Sequence, residues 1–196
     1  MPSLRIALKD DMQSIARLHC QNIEAGFLSS LGQPFLNLLY EAMAVSRSAV
    51  CFVAEENGQI IGFASGAVSV GGFYKEFLKK QFLRAMLILL PRAIKPAVAK
   101  KIVETLFYPS KNEGKLPSAE LLSIVVDQNL QGQRIGEKLF IKLVGAFRER
   151  GITQFKVIVG ENLTSACKFY EKMGGAFHSE IEVHRDEKSR VYIWTI

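Results

Sequence analysis

The densest chemistry in the sequence lies between Glu120 and Phe140. Its apolar start, Glu120–Val126, reads as a strand buried on both faces. A polar turn bearing glycine follows, and the sequence then takes on helical periodicity. The first turn of a helix leaves about four backbone N–H groups unpaired, and the helix dipole favours an anion there. The turn Gln131-Gly132-Gln133-Arg134-Ile135-Gly136 is therefore a candidate phosphate cradle. It carries neither the Gly-Lys-Ser/Thr of a P-loop nor the three glycines of a dinucleotide fingerprint. Glu120 is a second chemical feature: a carboxylate at the start of a buried strand is either an exposed charge at the strand end or a candidate base whose pKa burial raises. Glu24, Glu55 and Glu161 are weaker candidates. His19-Cys20 is not a nucleophile pair, since adjacent helical residues point in different directions. Cys20, Cys51 and Cys167 have no metal or disulfide spacing, and neither have His178 and His184, so no metal site is expected. Cys167 reads as helix packing, and Trp194 as core or as the wall of an acceptor pocket.

These groups need a scaffold. Arg5-Ile6-Ala7 reads as a first strand, with Asp10 or Asp11 capping a helix over Met12–Glu24. A second helix follows Pro34. Val50–Glu55 and Gln59–Val70 form a hairpin about Asn57-Gly58, and the interior Gly62 and Gly66 mark bends or close backbone approach. One helix is expected over Lys75–Leu90. A second, amphipathic one is expected where Ile94, Val98, Ile102 and Leu106 recur every four residues. Lys111–Ser118 reads as a polar loop. A helix from Gly132 to Arg150, a strand Phe155–Val159, and a helix Leu163–Met173 follow. Phe177–His184 and Val191–Ile196 close the chain as a hairpin about the charged turn Arg185–Arg190.

Composition excludes several classes. With 196 residues, 48% hydrophobic and 22% charged, the chain fits one globular domain spanning 1–196. The apolar run Ala85–Leu90 is six residues, far short of the roughly 18 of a membrane span. No basic-then-apolar leader is visible, so a cytoplasmic protein is expected. The net charge of +6 is local: residues 73–116 hold ten Lys/Arg against three acids, or +7, which leaves −1 elsewhere. That segment is either a solvated helix face or a surface for anions.

The turn and a later block together resemble the GNAT acetyltransferase superfamily. Gln131-Gly132-Gln133-Arg134-Ile135-Gly136 matches its Gln/Arg-x-x-Gly-x-Gly/Ala motif except at Arg134, which replaces the middle glycine. Asn162-x-x-x-Ala166-x-x-x-Tyr170-x-x-x-Gly174 is similar to its second block. The order of elements also fits, with 73–116 as a basic helical insertion between the third and fourth strands. The Phe27–Gly32 loop resembles a subgroup of that superfamily. The resemblance implies an α/β fold with a central, mixed, twisted sheet of about seven strands flanked by helices.

It also implies a reaction. Acetyl-CoA serves as cosubstrate with no metal, and an amine attacks the thioester directly in a ternary complex. The pantetheine arm is expected along the main chain of Ile124, Val125 and Val126, where the central strand and Phe155–Val159 splay apart. The pyrophosphate is expected at Gln131, Gly132, Gln133, Arg134, Ile135 and Gly136, with Asn162, Ala166 and Tyr170 completing the cofactor site. Tyr170 would protonate the departing thiolate. Glu120, eleven residues before Gln131, matches a base position in the histone-acetyltransferase branch. Arg134 either crowds the phosphates with a Cβ or contacts them through its guanidinium. The acceptor is expected to be the primary amine of a small molecule, such as an amino sugar or another anionic acceptor. The competing reading is a non-catalytic CoA- or anion-binding module. Nucleic acid is not an expected partner, peripheral contact of 73–116 with an anionic surface is open, and the protein is a monomer or homodimer.

Overall fold

The computed structural model describes residues 2–23, 27–93, 116–184 and 187–196. The expected amphipathic helix over 94–106, most of the loop Lys111–Ser118, the tip of the last hairpin and Glu24 lie outside them. The described strands are β1 (Ser3–Ile6), β2 (Ala49–Glu56), β3 (Gln59–Ala67), β4 (Ala119–Val126), β5 (Gln154–Gly160), β6 (Ala176–His184) and β7 (Glu187–Thr195). The helices are α1 (Met12–Asn22), α2 (Phe27–Ser30), α3 (Gln33–Val45), α4 (Val70–Ala93), α5 (Ile135–Glu149) and α6 (Thr164–Lys172). The strands form one mixed sheet ordered β1-β2-β3-β4-β5-β7-β6, in which only β4 and β5 run parallel. This is the seven-stranded, helix-flanked sheet that the resemblance implies, with a helical insertion between β3 and β4.

Local chemistry explains most boundaries. Asn57 and Gly58 both have positive φ (51° and 75°), the geometry of a two-residue hairpin turn that matches strand twist. The loop Phe27–Leu31 contains the short helix α2 rather than being irregular throughout. Asp11 does not cap α1 through its side chain as expected. Its carboxylate accepts the Leu8 N–H at 2.7 Å and a bidentate contact from Arg5 at 2.6 and 2.9 Å. The Arg5 guanidinium lowers the Asp11 pKa. α5 begins at Ile135, later than expected, because Gly132 and Arg134 have positive φ (82° and 60°), outside the right-handed helical region.

Two apolar layers sandwich the sheet. On one face, α1, α3 and α4 bury Ile15, Leu36, Tyr40, Phe73 and Phe77 against β2 and β3. On the other, α5 and α6 bury Leu139, Leu143, Phe147, Cys167 and Tyr170 against β3, β5 and β7. The second layer is rich in rings: Trp194 stacks on Phe155 with centroids 5.0 Å apart, which makes it core rather than pocket wall. Gly66 serves close approach, since a Cβ there would lie 2.7 Å from the ring of Phe147.

Candidate active site

The site is organised by a fault in β4. Along β3, Ser65 faces Ser123 and the next residue, Gly66, faces Leu121, so Leu122 is an extra residue. Such a bulge bends the strand that carries it. β4 pairs with β5 through only Ala119–Phe155, Glu120–Lys156 and Leu121–Val157. Past that fork β5 continues against β7 as far as Gly160, while β4 runs on to Val126. The β5-facing backbone of Ile124, Val125 and Val126 therefore lacks a sheet partner, and buried N–H and C=O groups in that state need a ligand or water.

The turn expected to cradle an anion follows the end of β4. Gly132 has φ 82°, and Arg134 is the N-cap of α5 in the left-handed region at φ 60°, ψ 17°. No side chain caps this helix start, so the first-turn N–H groups are not satisfied from within the cap. Gln131, Gly132, Gln133 and Arg134 are exposed, Ile135 turns into the core, and Gly136 lies 3.7 Å (measured from a built Cβ) from Phe169 and Val126. The Arg134 guanidinium does not reach over the cradle: its Nε donates to Glu137 Oε2 at 3.2 Å. Lys172 of α6 donates to the other oxygen of Glu137 at 2.5 Å. That contact with Lys172, more than the one with Arg134, holds the Glu137 carboxyl below its ordinary pKa. Asn162 is exposed just before α6, and Ala166 is half-buried on it.

The fork separates two titratable groups onto opposite faces. Tyr170, on the α5/α6 side, packs at 6.0 Å from Trp194 and 6.5 Å from Tyr192. These two residues pair with Phe155 and Val157 of β5, so Tyr170 sits at the level of the fork. Burial raises its pKa, and the neighbouring Cys167 adds to the effect, so the phenol keeps its proton. Glu120 lies on the other face. Burial raises its pKa, and the charge of Lys156 opposes the rise. Lys156 Nζ is 3.3 Å from Glu120 Oε2 but is not aligned as a hydrogen bond, and that oxygen has no hydrogen-bond donor among the described residues. Nζ instead donates to the carbonyl of Pro117. Tyr74 of α4 is close enough for the Glu120 charge to raise its pKa, an effect secondary to burial.

Two features of this face were not foreseen from sequence. Lys156 is a lysine in the middle of an apolar strand, and that misfit was the available signal. The second is a buried polar pair: His19 Nδ1 is hydrogen-bonded to the Tyr40 hydroxyl at 2.7 Å. Burial lowers the His19 pKa to about 4, so the ring is neutral at pH 7. No metal-binding group of His, Cys, Asp or Glu occurs among the described residues.

A model of the acetyltransferase (GNAT) family matches residues 17–175. The chain belongs to that family. Among curated proteins none matches it by sequence. Solved structures share the fold at low identity. One is a PaiA N-acetyltransferase from Thermoplasma acidophilum in complex with coenzyme A, 10% identical, covering 100% of this chain and 99% of that one, TM-score 0.64. YncA from Salmonella typhimurium with its cofactor acetyl-CoA is 15% identical over 99% and 93%, TM-score 0.61. A ribosomal-protein-alanine N-acetyltransferase from Brucella melitensis is 16% identical over 99% of each chain, TM-score 0.63.

Proposed function

We propose that the protein is an acetyl-CoA-dependent N-acetyltransferase that acetylates the primary amine of a small molecule by direct attack in a ternary complex. The observation that carries this reading is the fork, with an uncapped helix start at one end and a phenol and a carboxylate on opposite faces of its base. The backbone of the turn Gln131–Gly136, which leads into the uncapped start of α5, holds the pyrophosphate, and Asn162 and Ala166 border it. The free backbone of Ile124, Val125 and Val126 pairs with the amides of the pantetheine arm. Such a cosubstrate supplies an activated acetyl thioester; the residues supply position and protons.

Glu120 takes the proton from the ammonium of the acceptor. The freed nitrogen bonds to the acetyl carbon and the carbon–sulfur bond breaks; Tyr170 donates its phenolic proton to the departing sulfur, the nitrogen sheds its second proton to solvent as the amide forms, and the phenolate takes a proton back from solvent. A buried carboxylate with a raised pKa suits the first step, and a phenol held protonated suits the last. The basic residues of 73–116 favour an acceptor carrying phosphate or carboxylate, such as an amino sugar on a nucleotide carrier, over a polyamine.

Gly136→Asp tests the reading. An added Cβ meets Phe169 and Val126 at an ordinary 3.7 Å, and the aspartate puts a negative charge in the first turn of α5, where a phosphate would bind. Calorimetry is expected to show loss of CoA binding with the melting temperature retained. Unchanged affinity overturns the site assignment. CoA binding without thiol release across a panel of anionic amines would support the non-catalytic module instead.

A further inference from the structure

Helix α4 has two apolar stripes, and the described residues cover one. Phe73, Phe77, Ala85 and Leu89 are buried against the sheet, with Tyr74, Leu78 and Ile88 half-buried beside them. The opposite side carries Phe82, Leu83, Met86, Leu87 and Leu90, which are 53%, 69%, 47%, 68% and 60% exposed. Leu83, Met86, Leu87 and Leu90 follow the i, i+3, i+4, i+7 spacing of a single helix face. Five large apolar side chains exposed within nine residues form a contiguous patch, and such patches mark interaction surfaces.

Charge identifies the partner. Lys79 stands three and four residues before Phe82 and Leu83, and Lys75 four before Lys79, so the stripe is cationic where it begins and apolar where it ends. Lys75, Lys79 and Lys80 are exposed. Arg84 leans away toward Glu41 of α3, at 3.6 Å. Glu76 is the sole acidic residue of α4, and Ser46 and Ser48 occupy its carboxylate at 2.7 and 2.8 Å. We propose that this stripe lies in the surface of an anionic lipid bilayer, Phe82–Leu90 dipping among the acyl chains and Lys75, Lys79 and Lys80 meeting head groups. Leucine and phenylalanine flanked by lysine on one helix face are what interfacial helices use. A second copy fits less well. A two-fold contact with parallel stripes sets lysine on lysine, and the antiparallel arrangement sets lysines on the apolar end.

The test is co-sedimentation of the whole chain with vesicles of phosphatidylcholine alone and of phosphatidylcholine with phosphatidylglycerol. Binding is expected only to the phosphatidylglycerol vesicles and is expected to weaken with salt. Joint substitution Leu83→Glu and Leu87→Glu is expected to lower the bound fraction about tenfold or more, with the melting temperature kept. Lys79→Glu with Lys80→Glu is expected to lower binding less and to flatten its salt dependence. Failure of the wild type to bind phosphatidylglycerol vesicles overturns the proposal, as does wild-type binding by the leucine variant. A leucine variant melting well below wild type shows that the chain itself covers the stripe, and a wild-type dimer that the variant splits shows a second copy there; either result overturns it too.

Discussion

The site holds two groups of ionised side chains in opposite surroundings. At the base of the fork, Glu120 and Lys156 are each a tenth exposed or less. At the start of α5, Arg134, Glu137 and Lys172 are 74%, 20% and 63% exposed. The same chemistry has different consequences. Water screens the exposed group, whose members can be exchanged at little cost. The buried pair has lost its hydration, so each charge depends on the other, and removing one strands its partner. Proton chemistry belongs where pKa values can be moved, which is the buried group. Phosphate binding needs only backbone donors at a helix start, which tolerates a varied fringe.

The largest expected effect tests the buried half of that contrast directly. Glu120→Gln keeps the shape and removes the proposed base, and turnover is expected to fall about 10²–10⁴-fold. Because the Glu120 pKa is raised, wild-type kcat/KM falls as pH drops through it, and the glutamine variant lacks that limb. Tyr170→Phe is expected to cost turnover on the same scale while CoA affinity stays nearly intact. Full rates in both variants at every pH would remove the carboxylate and the phenol from the mechanism.

Lys156→Met comes next. Leaving Glu120 buried and unpaired is expected to destabilise the protein by about 3–5 kcal/mol in denaturant unfolding. Adding Glu120→Gln to that variant is expected to restore part of the loss, because no charge is then stranded. Activity gives a second measure: without the lysine the Glu120 pKa rises further, and the acid limb of kcat/KM moves to higher pH. A silent Lys156→Met would show that the pair is solvated after all.

His19 extends the contrast to a group that is buried without an opposite charge. Its pKa falls from 6.5 to about 4 on folding, so between those values the unfolded chain takes up a proton that the folded chain refuses. Stability contributed by the neutral ring is present above pH 6.5 and is lost as pH falls toward 4, about 3 kcal/mol in all. Asp11, with its pKa lowered from 3.8, contributes its loss below that window. Glu120, raised from 4.5, acts in the opposite direction within it. The comparison is therefore wild type against His19→Gln: the variant's melting temperature is expected to vary less between pH 6.5 and 4. Parallel curves would place the histidine in water.

The contrast also explains what could be read in advance. The sheet, its seven strands and the helical insertion were legible because periodicity, the Asn57-Gly58 turn and the two motif blocks are local signals. Glu120 stood out because it opens an apolar strand. Its partner Lys156 and the buried hydrogen bond between His19 and Tyr40 were not legible. Those contacts join residues 36 and 21 positions apart, and no local pattern encodes a register such as Glu120 beside Lys156. The exposed stripe of α4 escaped for a related reason. Phe82–Leu90 is apolar, and only its position against the sheet shows which side the fold leaves bare.

The smallest effect belongs to the exposed half, at Arg134. The residue holds a left-handed backbone that costs a non-glycine residue roughly 1–2 kcal/mol. Glycine there relieves that cost but restores freedom to the unfolded chain, worth about 0.5–1 kcal/mol. The ion pair to Glu137 is exposed and contributes little. Arg134→Gly is thus expected to melt at or slightly above wild type, and Arg134→Ala below it, since alanine keeps the strain and loses the contact. CoA affinity, measured by calorimetry, is expected to change less than about fivefold in the glycine variant, because the cradle is made of backbone N–H groups rather than the guanidinium. A drop well beyond that would mean that Arg134 leaves Glu137 for the phosphate when CoA binds, so that the exposed group takes part in binding and no longer merely borders it.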